Sequence, residues 1–253
     1  MAVPRYRSRD GPDRSERMAP ETKAPAAKAA GQEYDASPYL PRRGGLTALR
    51  RAAADCRGCP LFQDATQTVF GAGSPTARLF LVGEQPGDQE DRQGEPFVGP
   101  AGQLLRRALA EAGLGDEEVY VTNAVKHFKF TTAPRGKRRI HKAPNLREMT
   151  ACRPWLRAEL RLVSPRLLVV LGATAGRALL GSSFKVGEQR GVLRPMPSWA
   201  EAEAEAEGDG GAGEGGGLLL ATVHPSAVLR SDDREAAFRG LVADLSVAAS
   251  ALE

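Results

Sequence analysis

The sequence predicts an α/β fold, a three-layer α/β/α sandwich around a mostly parallel sheet of four strands. Two observations support this prediction. Short apolar runs typical of buried strands alternate along the chain with segments that show the 3.6-residue period of helices. In addition, polar motifs directly follow three of the predicted strands, and the carboxyl ends of parallel strands meet at one edge of a sheet. The sequence therefore predicts one site at that edge.

The predicted elements alternate in a regular order. The run Arg-Leu-Phe-Leu-Val-Gly at 78–83 is continuously apolar after its first residue, which is typical of a strand buried on both faces. Pro100 begins a helix, because proline is favoured at the first helical position. The complete set comprises strands at 78–83, 118–122, 167–171 and 218–223, and helices at 46–55, from Pro100, from Pro144 to about 163 with a break near Pro154, at 173–180 and at 234–252.

Composition divides the 253-residue chain into a tail, a domain and an insertion within that domain. Residues 1–45 carry nine basic and six acidic residues among many Pro and Ala, and we expect a disordered basic tail there. Residues 200–217 carry six acidic and no basic residues among glycines, which predicts a flexible acidic insertion. The rest of 46–253 forms one domain and is more basic than the net charge of +4 for the whole chain indicates. A domain with this charge attracts a polyanion.

Hydropathy and cysteine content predict the compartment. No stretch approaches the length of a membrane span, and the first residues lack the apolar segment of a signal peptide. The three cysteines are an odd number, which argues against a disulfide framework. We therefore expect a cytoplasmic monomer without a membrane partner.

The most distinctive segment is a basic loop that contains one histidine. Seven Lys or Arg residues and no Asp or Glu lie between Lys126 and Lys142. Such a charge suits phosphate contacts, and His141 at the end of the run Lys137-Arg138-Arg139-Ile140-His141 would then lie close to a sugar or a base. Alone, the run is equally typical of a solvated surface or of a generic nucleic-acid patch. The motifs on either side of the run indicate its function.

Three motifs together resemble those of the uracil-DNA glycosylase superfamily. They are Gly-Glu-Gln-Pro-Gly-Asp at 83–88, Glu-Pro-Phe-Val-Gly-Pro-Ala-Gly at 95–102 and His-Pro-Ser at 224–226. The resemblance covers residues 46–250 and is nearest to the iron–sulfur family-four enzymes. The loop at 137–141, together with Gln85, narrows it to the UdgX branch, whose members become covalently attached to uracil-containing DNA.

The resemblance implies a substrate-binding set for an extruded uracil. Phe97 would stack on the base, Asn123 would read its edge, and His224 would donate to O2 of the leaving uracil. Each has a simpler interpretation: Phe97 as core, Asn123 as a turn or helix cap, and His224 as a structural histidine. The substrate-binding residues implied by the resemblance are Gly83, Gln85, Gly87, Asp88, Phe97, Asn123 and Ser226. The implied partner is uracil-containing DNA, single-stranded DNA included.

The UdgX resemblance also implies a chemical role for the loop histidine. His141 would attack C1′ of the deoxyribose in place of water, and Glu84 would accept the imidazole proton or stabilise the cationic transition state. Lys137, Arg138 and Arg139 would contact phosphates. Two alternatives stay open: a conventional glycosylase with multiple turnovers, and a binder of uracil or abasic DNA without catalysis. Glu84 could also be an ordinary solvated charge.

A cysteine pair at metal-ligand spacing predicts a metal site. Cys56-Arg57-Gly58-Cys59 has the two-residue spacing that lets two thiolates bind one centre, and Cys152 is the third cysteine. Family-four enzymes hold a [4Fe–4S] cluster with four cysteines, and His127 stands where their third cysteine is expected. The resemblance therefore implies a cluster held by Cys56, Cys59, His127 and Cys152. Three thiolates and one imidazole also describe structural zinc, which stays open as the alternative.

Overall fold

The folded unit begins earlier than the sequence predicts. The computed structural model of the chain describes residues 34–115, 118–133, 138–196 and 217–253. The compact unit starts at Tyr34. Ala36 is buried, and its N–H donates to the carbonyl of Ala151 over 3.0 Å. Residues 34–45 thus belong to the domain, and the boundary predicted at residue 46 is corrected to residue 34. The rest of the predicted tail, and the predicted insertion up to residue 216, lie outside the described residues.

Four parallel strands form the centre of the sheet, as predicted. The strands are β1 (Ala72–Gly73), β2 (Leu79–Gly83), β3 (Val119–Asn123), β4 (Phe130–Thr132), β5 (Arg139–His141), β6 (Leu167–Leu171), β7 (Arg194–Pro195) and β8 (Leu218–Thr222). Within the described ranges the main sheet has six strands in the order β1-β3-β2-β6-β8-β7, in which β3, β2, β6 and β8 are parallel. The edge strands β1 and β7 are antiparallel to their neighbours and were not predicted, because two residues are too few to show a period. β4 and β5 form a separate antiparallel hairpin.

Helices cover both faces of this sheet. They are α1 (Leu46–Ala53), α2 (Asp88–Gln93), α3 (Pro100–Glu111), α4 (Leu146–Val163), α5 (Gly172–Leu180), α6 (Val186–Gln189), α7 (Pro225–Leu229) and α8 (Arg234–Ser250). Within β2, Leu79 and Leu81 face a core shared with α3 and α8, while Phe80 and Val82 face a core shared with α4 and α5. This alternation produces the three layers that the sequence predicts. Among the described residues, no helix combines the length and the apolar character needed to cross a membrane.

The break predicted near Pro154 does not occur. α4 runs without interruption from Leu146 to Val163 with Pro154 inside it. Proline removes one backbone hydrogen bond from a helix, which costs about 3 kcal/mol. Buried side chains on both sides of Pro154, among them Cys152 and Trp155, offset that cost by packing against the core.

Candidate active site

A cavity of about 690 Å³ lies at the carboxyl edge of the parallel strands. The sequence predicts a site at this edge, and the structure brings predicted residues from five different segments of the chain together there. Six side chains with predicted roles line the cavity: Glu84, Phe97, Asn123, His141, His224 and Ser226. The motif glycine Gly87 and the motif glutamine Gln85 also line it.

Gly83 makes room for the two side chains that form the inner part of the cavity. It is the last residue of β2 and lies beside Asn123 in the parallel register. A Cβ atom at Gly83 would overlap Asn123 Oδ1 and would lie 2.7 Å from Phe97 Cζ. Asn123 and Phe97 are both buried and both line the cavity, so a Cβ at Gly83 would displace side chains of the pocket itself. Glycine at this position therefore lets an amide and an aromatic ring share one small pocket.

Phe97 adopts a backbone conformation that is rare for a bulky residue. Its φ is +57°, in the left-handed region, which costs about 1–3 kcal/mol for a residue other than glycine. The guanidinium of Arg106 donates to the Phe97 carbonyl over 3.1 Å. Gly102 on α3 permits a close approach, since a Cβ there would overlap the same carbonyl. These contacts fix the ring in the cavity, with its centroid 6.3 Å from that of His224.

Glu90 joins the two glycine-rich motifs and was missed by the sequence analysis. Its carboxylate accepts from the N–H of Gly87 over 3.1 Å and from the N–H of Gly99 over 2.8 Å. It is buried and lines the cavity. A glutamate at the third position of a helix can accept from the N–H of the N-cap residue, which is the half of a capping box that Gly87 allows, so this contact could have been predicted. The contact to Gly99 depends on the tertiary fold and leaves no local signal.

His224 is a neutral hydrogen-bond donor at physiological pH. Burial, with a smaller contribution from Arg230, lowers the pKa of its imidazole to about 4. Its Nδ1 accepts from the N–H of Ser226 over 3.1 Å and also lies 2.8 Å from Ser226 Oγ. A neutral imidazole that accepts at Nδ1 carries its proton on Nε2. His224 therefore has one free donor, at Nε2.

His141 and Glu84 form the only histidine–carboxylate contact within 4.0 Å among the described residues. His141 Nε2 lies 3.4 Å from Glu84 Oε1, and the His141 side chain is half exposed while that of Glu84 is 19 % exposed. Glu84 Oε1 is buried and has no hydrogen-bond partner among the described residues. An unsatisfied buried carboxylate oxygen favours a proton donor or a developing positive charge next to it.

Gln85 supports the hairpin of β4 and β5 through all three of its observed hydrogen bonds. Its side-chain amide donates to the carbonyls of Lys129 and Lys142 over 3.2 and 3.1 Å, and its Oε1 accepts from the N–H of Lys129 over 3.1 Å. The sequence analysis assigned Gln85 to substrate binding. In the structure its polar side-chain atoms connect the loop that carries Glu84 to the hairpin that carries His141. Gln85 also lines the cavity, and its role in substrate binding stays a prediction.

Arg139, for which the sequence predicts a phosphate contact, also holds the hairpin. Its guanidinium forms ion pairs with Asp88 and Asp91 at the start of α2 and lies 5.3 and 4.9 Å from the ring centroids of Phe128 and Phe130. The Arg139 side chain is only 13 % exposed. Asp88, predicted to bind substrate, is thus occupied by Arg139.

The other two residues that were predicted to contact phosphates are Lys137 and Arg138. Arg138 is exposed, as a phosphate contact requires. Lys137 lies outside the described residues.

Comparison with known proteins identifies the family of this chain. The family model described as the uracil DNA glycosylase superfamily matches residues 70–246. The chain belongs to the uracil-DNA glycosylase superfamily. Three similar proteins are named Type-4 uracil-DNA glycosylase. The protein of Thermotoga maritima is 34% identical over 71% of this chain and 81% of its own length. The protein of Pyrobaculum aerophilum is 32% identical over 73% and 85%, and that of Sulfurisphaera tokodaii is 35% identical over 56% and 60%.

A buried ion pair holds the backbone of Asn123, which lines the cavity, and was not predicted from the sequence. Lys126 Nζ forms an ion pair with Glu159 and donates to Thr122 Oγ1 over 2.6 Å and to the carbonyl of Asn123 over 2.8 Å. Both charged side chains are almost completely buried. Glu159 also accepts from the N–H of Gly71 over 2.9 Å. The three donors of the ammonium are all used, and one of them fixes the backbone of Asn123.

The three cysteines of the glycosylase share one buried cluster next to α4. Cys56, Cys59 and Cys152 are all less than a tenth exposed. Trp155 Nε1 donates to Cys56 Sγ over 3.2 Å, and the N–H of Lys126 donates to Cys152 Sγ over 3.3 Å. Such N–H donors are typical of the surroundings of metal-bound thiolates. Burial raises the pKa of Cys59 to about 11 and that of Cys152 to about 12, so a positive partner is needed to hold them as thiolates.

The predicted fourth ligand, His127, follows Lys126, whose N–H donates to Cys152 Sγ. His127 is buried, its pKa is lowered to about 4 by burial, and its Nε2 lies 2.9 Å from Thr68 Oγ1. Among the described residues, no three donors are close enough to hold a single metal ion. Zinc draws its ligands to about 2.0–2.3 Å, whereas a four-iron cluster is a larger body that keeps its ligands farther apart. The donor types, three buried cysteines of which two sulfurs accept N–H hydrogen bonds, fit a metal centre with thiolate ligands.

Proposed function

We propose that this glycosylase excises uracil from DNA and that His141 then captures the sugar, which leaves a stable covalent link between the protein and abasic DNA. The observation that carries the proposal is the contact between His141 and Glu84 inside the base pocket. A half-exposed imidazole at this point can reach a substrate, and a buried carboxylate oxygen beside it can take a proton. The reaction would consume the protein in a single turnover.

Excision would use the inner part of the cavity. The bond between C1′ and the uracil nitrogen breaks, the sugar becomes positively charged, and uracil leaves with the electron pair. Phe97 would stack on the extruded base, and the Asn123 amide would accept from N3–H and donate to O4. The neutral His224 would donate its Nε2 proton toward O2, where the negative charge of leaving uracil develops. Ser226 would bind a phosphate of the extruded nucleotide.

Capture would use the outer part of the cavity. A lone pair of the His141 imidazole forms a bond to C1′ and leaves an imidazolium. Its remaining N–H proton passes to Glu84 and finally to solvent, while the uracil anion takes up one proton. The products are therefore neutral uracil and a neutral imidazole attached to the sugar. Glu84 also stabilises the sugar cation before capture, because it brings a carboxylate into the lining of the cavity.

The cysteine cluster would stabilise the part of the fold that holds this site. We infer that Cys56, Cys59, Cys152 and His127 hold a [4Fe–4S] cluster that acts as a structural centre, since base excision transfers no electron. Lys126 connects the two regions, because its N–H donates to Cys152 and its ammonium fixes Asn123. Arg138 and Lys137 would contact backbone phosphates near the hairpin.

The second candidate is a conventional glycosylase with multiple turnovers. The similar proteins favour it, since all three are named Type-4 uracil-DNA glycosylase. In this alternative a water molecule attacks C1′ and His141 only contacts the DNA. Glu84 would then accept the proton of that water.

Denaturing electrophoresis separates the two candidates. The protein is incubated in excess with a labelled uracil-containing oligonucleotide, single-stranded or double-stranded, and then heated in SDS. We expect a slower band in stoichiometric yield for the parent and its loss in His141→Ala, which instead releases uracil catalytically because water can enter the freed space. Repeated turnover without a crosslink by the parent would support the conventional enzyme.

A further inference from the structure

The hairpin that carries His141 is too short to fix the position of this residue alone. β4 and β5 contain three residues each, and they pair as Phe130 with His141, Thr131 with Ile140 and Thr132 with Arg139. An isolated two-stranded hairpin is at best marginally stable in water. The position of His141 relative to Glu84 therefore depends on contacts between the hairpin and the rest of the domain.

Two of these contacts lead to the same neighbouring segment. Gln85 binds the backbone of Lys129 and Lys142 at the open end of the hairpin. Arg139 binds Asp88 and Asp91 in α2, which directly follows the loop of Gln85. Both contacts thus connect the hairpin to the segment between β2 and α2. Movement of that segment would carry the hairpin with it.

A third contact connects the hairpin to a different and more rigid element. Lys129 Nζ lies 2.7 Å from Glu148 Oε2, and the two side chains are 17 % and 6 % exposed. Lys129 is next to Phe130, the pairing partner of His141, and its carbonyl accepts from the N–H of Lys142 over 3.0 Å. The ion pair is therefore attached to the backbone immediately beside the histidine.

Glu148 is itself held firmly. Its Oε2 accepts from the N–H of Asn145 over 2.7 Å, and its own N–H donates to Asn145 Oδ1 over 2.9 Å, which closes a capping box at the start of α4. α4 is 18 residues long and buries one face against the core. Glu148 thus links the hairpin to a long core helix and not to the segment that carries Glu84.

We propose that the Lys129–Glu148 ion pair positions His141 and thereby sets the fraction of the sugar cation that is captured by the imidazole and not by water. This inference rests on the proposed function. Capture by the imidazole forms a C1′–N bond and releases a ring proton, while capture by water forms a C1′–O bond and releases a proton from water. The first path needs the imidazole within bonding reach of C1′ at the moment uracil leaves. Water needs no such placement, so a loosened hairpin favours water.

The test measures the ratio of crosslinked to free abasic strand in a single turnover. Parent, Lys129→Met and Lys129→Arg are incubated in excess with a labelled uracil oligonucleotide, and uracil release is followed in the same samples. The matched control is Lys185→Met, which removes an exposed lysine from an ion pair with Glu188 of similar length, 2.9 Å. Thermal unfolding of each variant reports whether the domain is intact.

We expect the ratio to fall about tenfold or more in Lys129→Met, which corresponds to a difference of about 1.4 kcal/mol between the two paths. Uracil release should stay close to the parent rate, since the base pocket is untouched. Lys129→Arg should retain most of the crosslink because it keeps the charge, and Lys185→Met should match the parent. A merely stabilising ion pair would lower the unfolding temperature without changing the ratio, and an unchanged ratio in Lys129→Met would overturn the inference. A parent that releases uracil with no crosslink at all would overturn the proposed function and this inference together.

Discussion

Substitution of Gly83 by alanine tests whether Asn123 and Phe97 form the base pocket. The new methyl group would overlap Asn123 Oδ1 and would lie 2.7 Å from Phe97 Cζ, which is closer than real Cβ contacts allow. One of the two buried side chains must therefore move. Forcing a group into a well-packed site costs about 1–3 kcal/mol of folding free energy. The domain should tolerate this loss, because typical domains have about 5–15 kcal/mol of stability.

The effect on excision should be larger than the effect on folding. Displacement of the Asn123 amide leaves polar atoms of the buried uracil without partners, at about 1–3 kcal/mol. That range corresponds to a decrease in single-turnover excision between about fivefold and about 150-fold. The assay is quenched-flow release of uracil at saturating protein, with urea unfolding of the same samples.

The control for Gly83→Ala is Gly45→Ala, before α1. A Cβ at Gly45 has no atom within 4 Å, and its φ of −87° suits alanine. This variant should keep the parent excision rate. If Gly83→Ala excised uracil as fast as Gly45→Ala, the pocket would not be formed by Asn123 and Phe97, and the reasoning would be refuted.

Three further predictions follow from the pocket and the cysteine cluster. Burial lowers the pKa of His224 from 6.5 to about 4, so between pH 6.5 and pH 4 the unfolded chain binds a proton that the folded chain does not. The contribution of this residue to stability is therefore complete above pH 6.5 and is lost as the pH falls toward 4. The free energy of unfolding is measured by urea titration at several pH values. Between pH 6.5 and 4 it should fall by up to about 3 kcal/mol less in His224→Gln than in the parent. Equal pH dependence in the two proteins would contradict the assignment. Asn123→Ala should slow uracil release by the cost of unpaired polar groups, about 1–3 kcal/mol, and an unchanged rate would argue against edge reading. Protein purified without air should be brown and contain iron, and Cys59→Ala should lose both the colour and solubility; colourless protein with one zinc would contradict the cluster.

The sequence predicted the centre of the fold because that centre has a strong local signal. Three of the four parallel strands, β2, β6 and β8, are almost entirely apolar, and every residue in them except the first of β8 is buried. The site could be located for the same reason, since Gly83 and Asn123 end neighbouring strands and His224 follows a third. The alternation of strands and helices left few other arrangements.

The contacts that give individual residues their roles could not be predicted. Arg139, in the basic loop, and Gln85, in the loop after β2, looked like DNA or substrate contacts because a polar residue in a loop has no local sign of an internal partner. Their partners are supplied only when the hairpin folds against α2 and the loop of Glu84. The ion pair of Lys126 with Glu159 joins residues far apart in sequence and has the same origin. The predicted break at Pro154 failed because tertiary packing outweighed a local preference.

Peptide mapping of the protein after reaction with uracil DNA tests the central claim most directly. The complex is digested with protease and nuclease and analysed by tandem mass spectrometry, with the unreacted protein as reference. The account predicts one modified peptide, the one that contains His141, with the added mass of an abasic deoxyribose residue and fragment ions that place this mass on the imidazole. An unmodified His141 peptide from a sample in which all uracil has been released would contradict it.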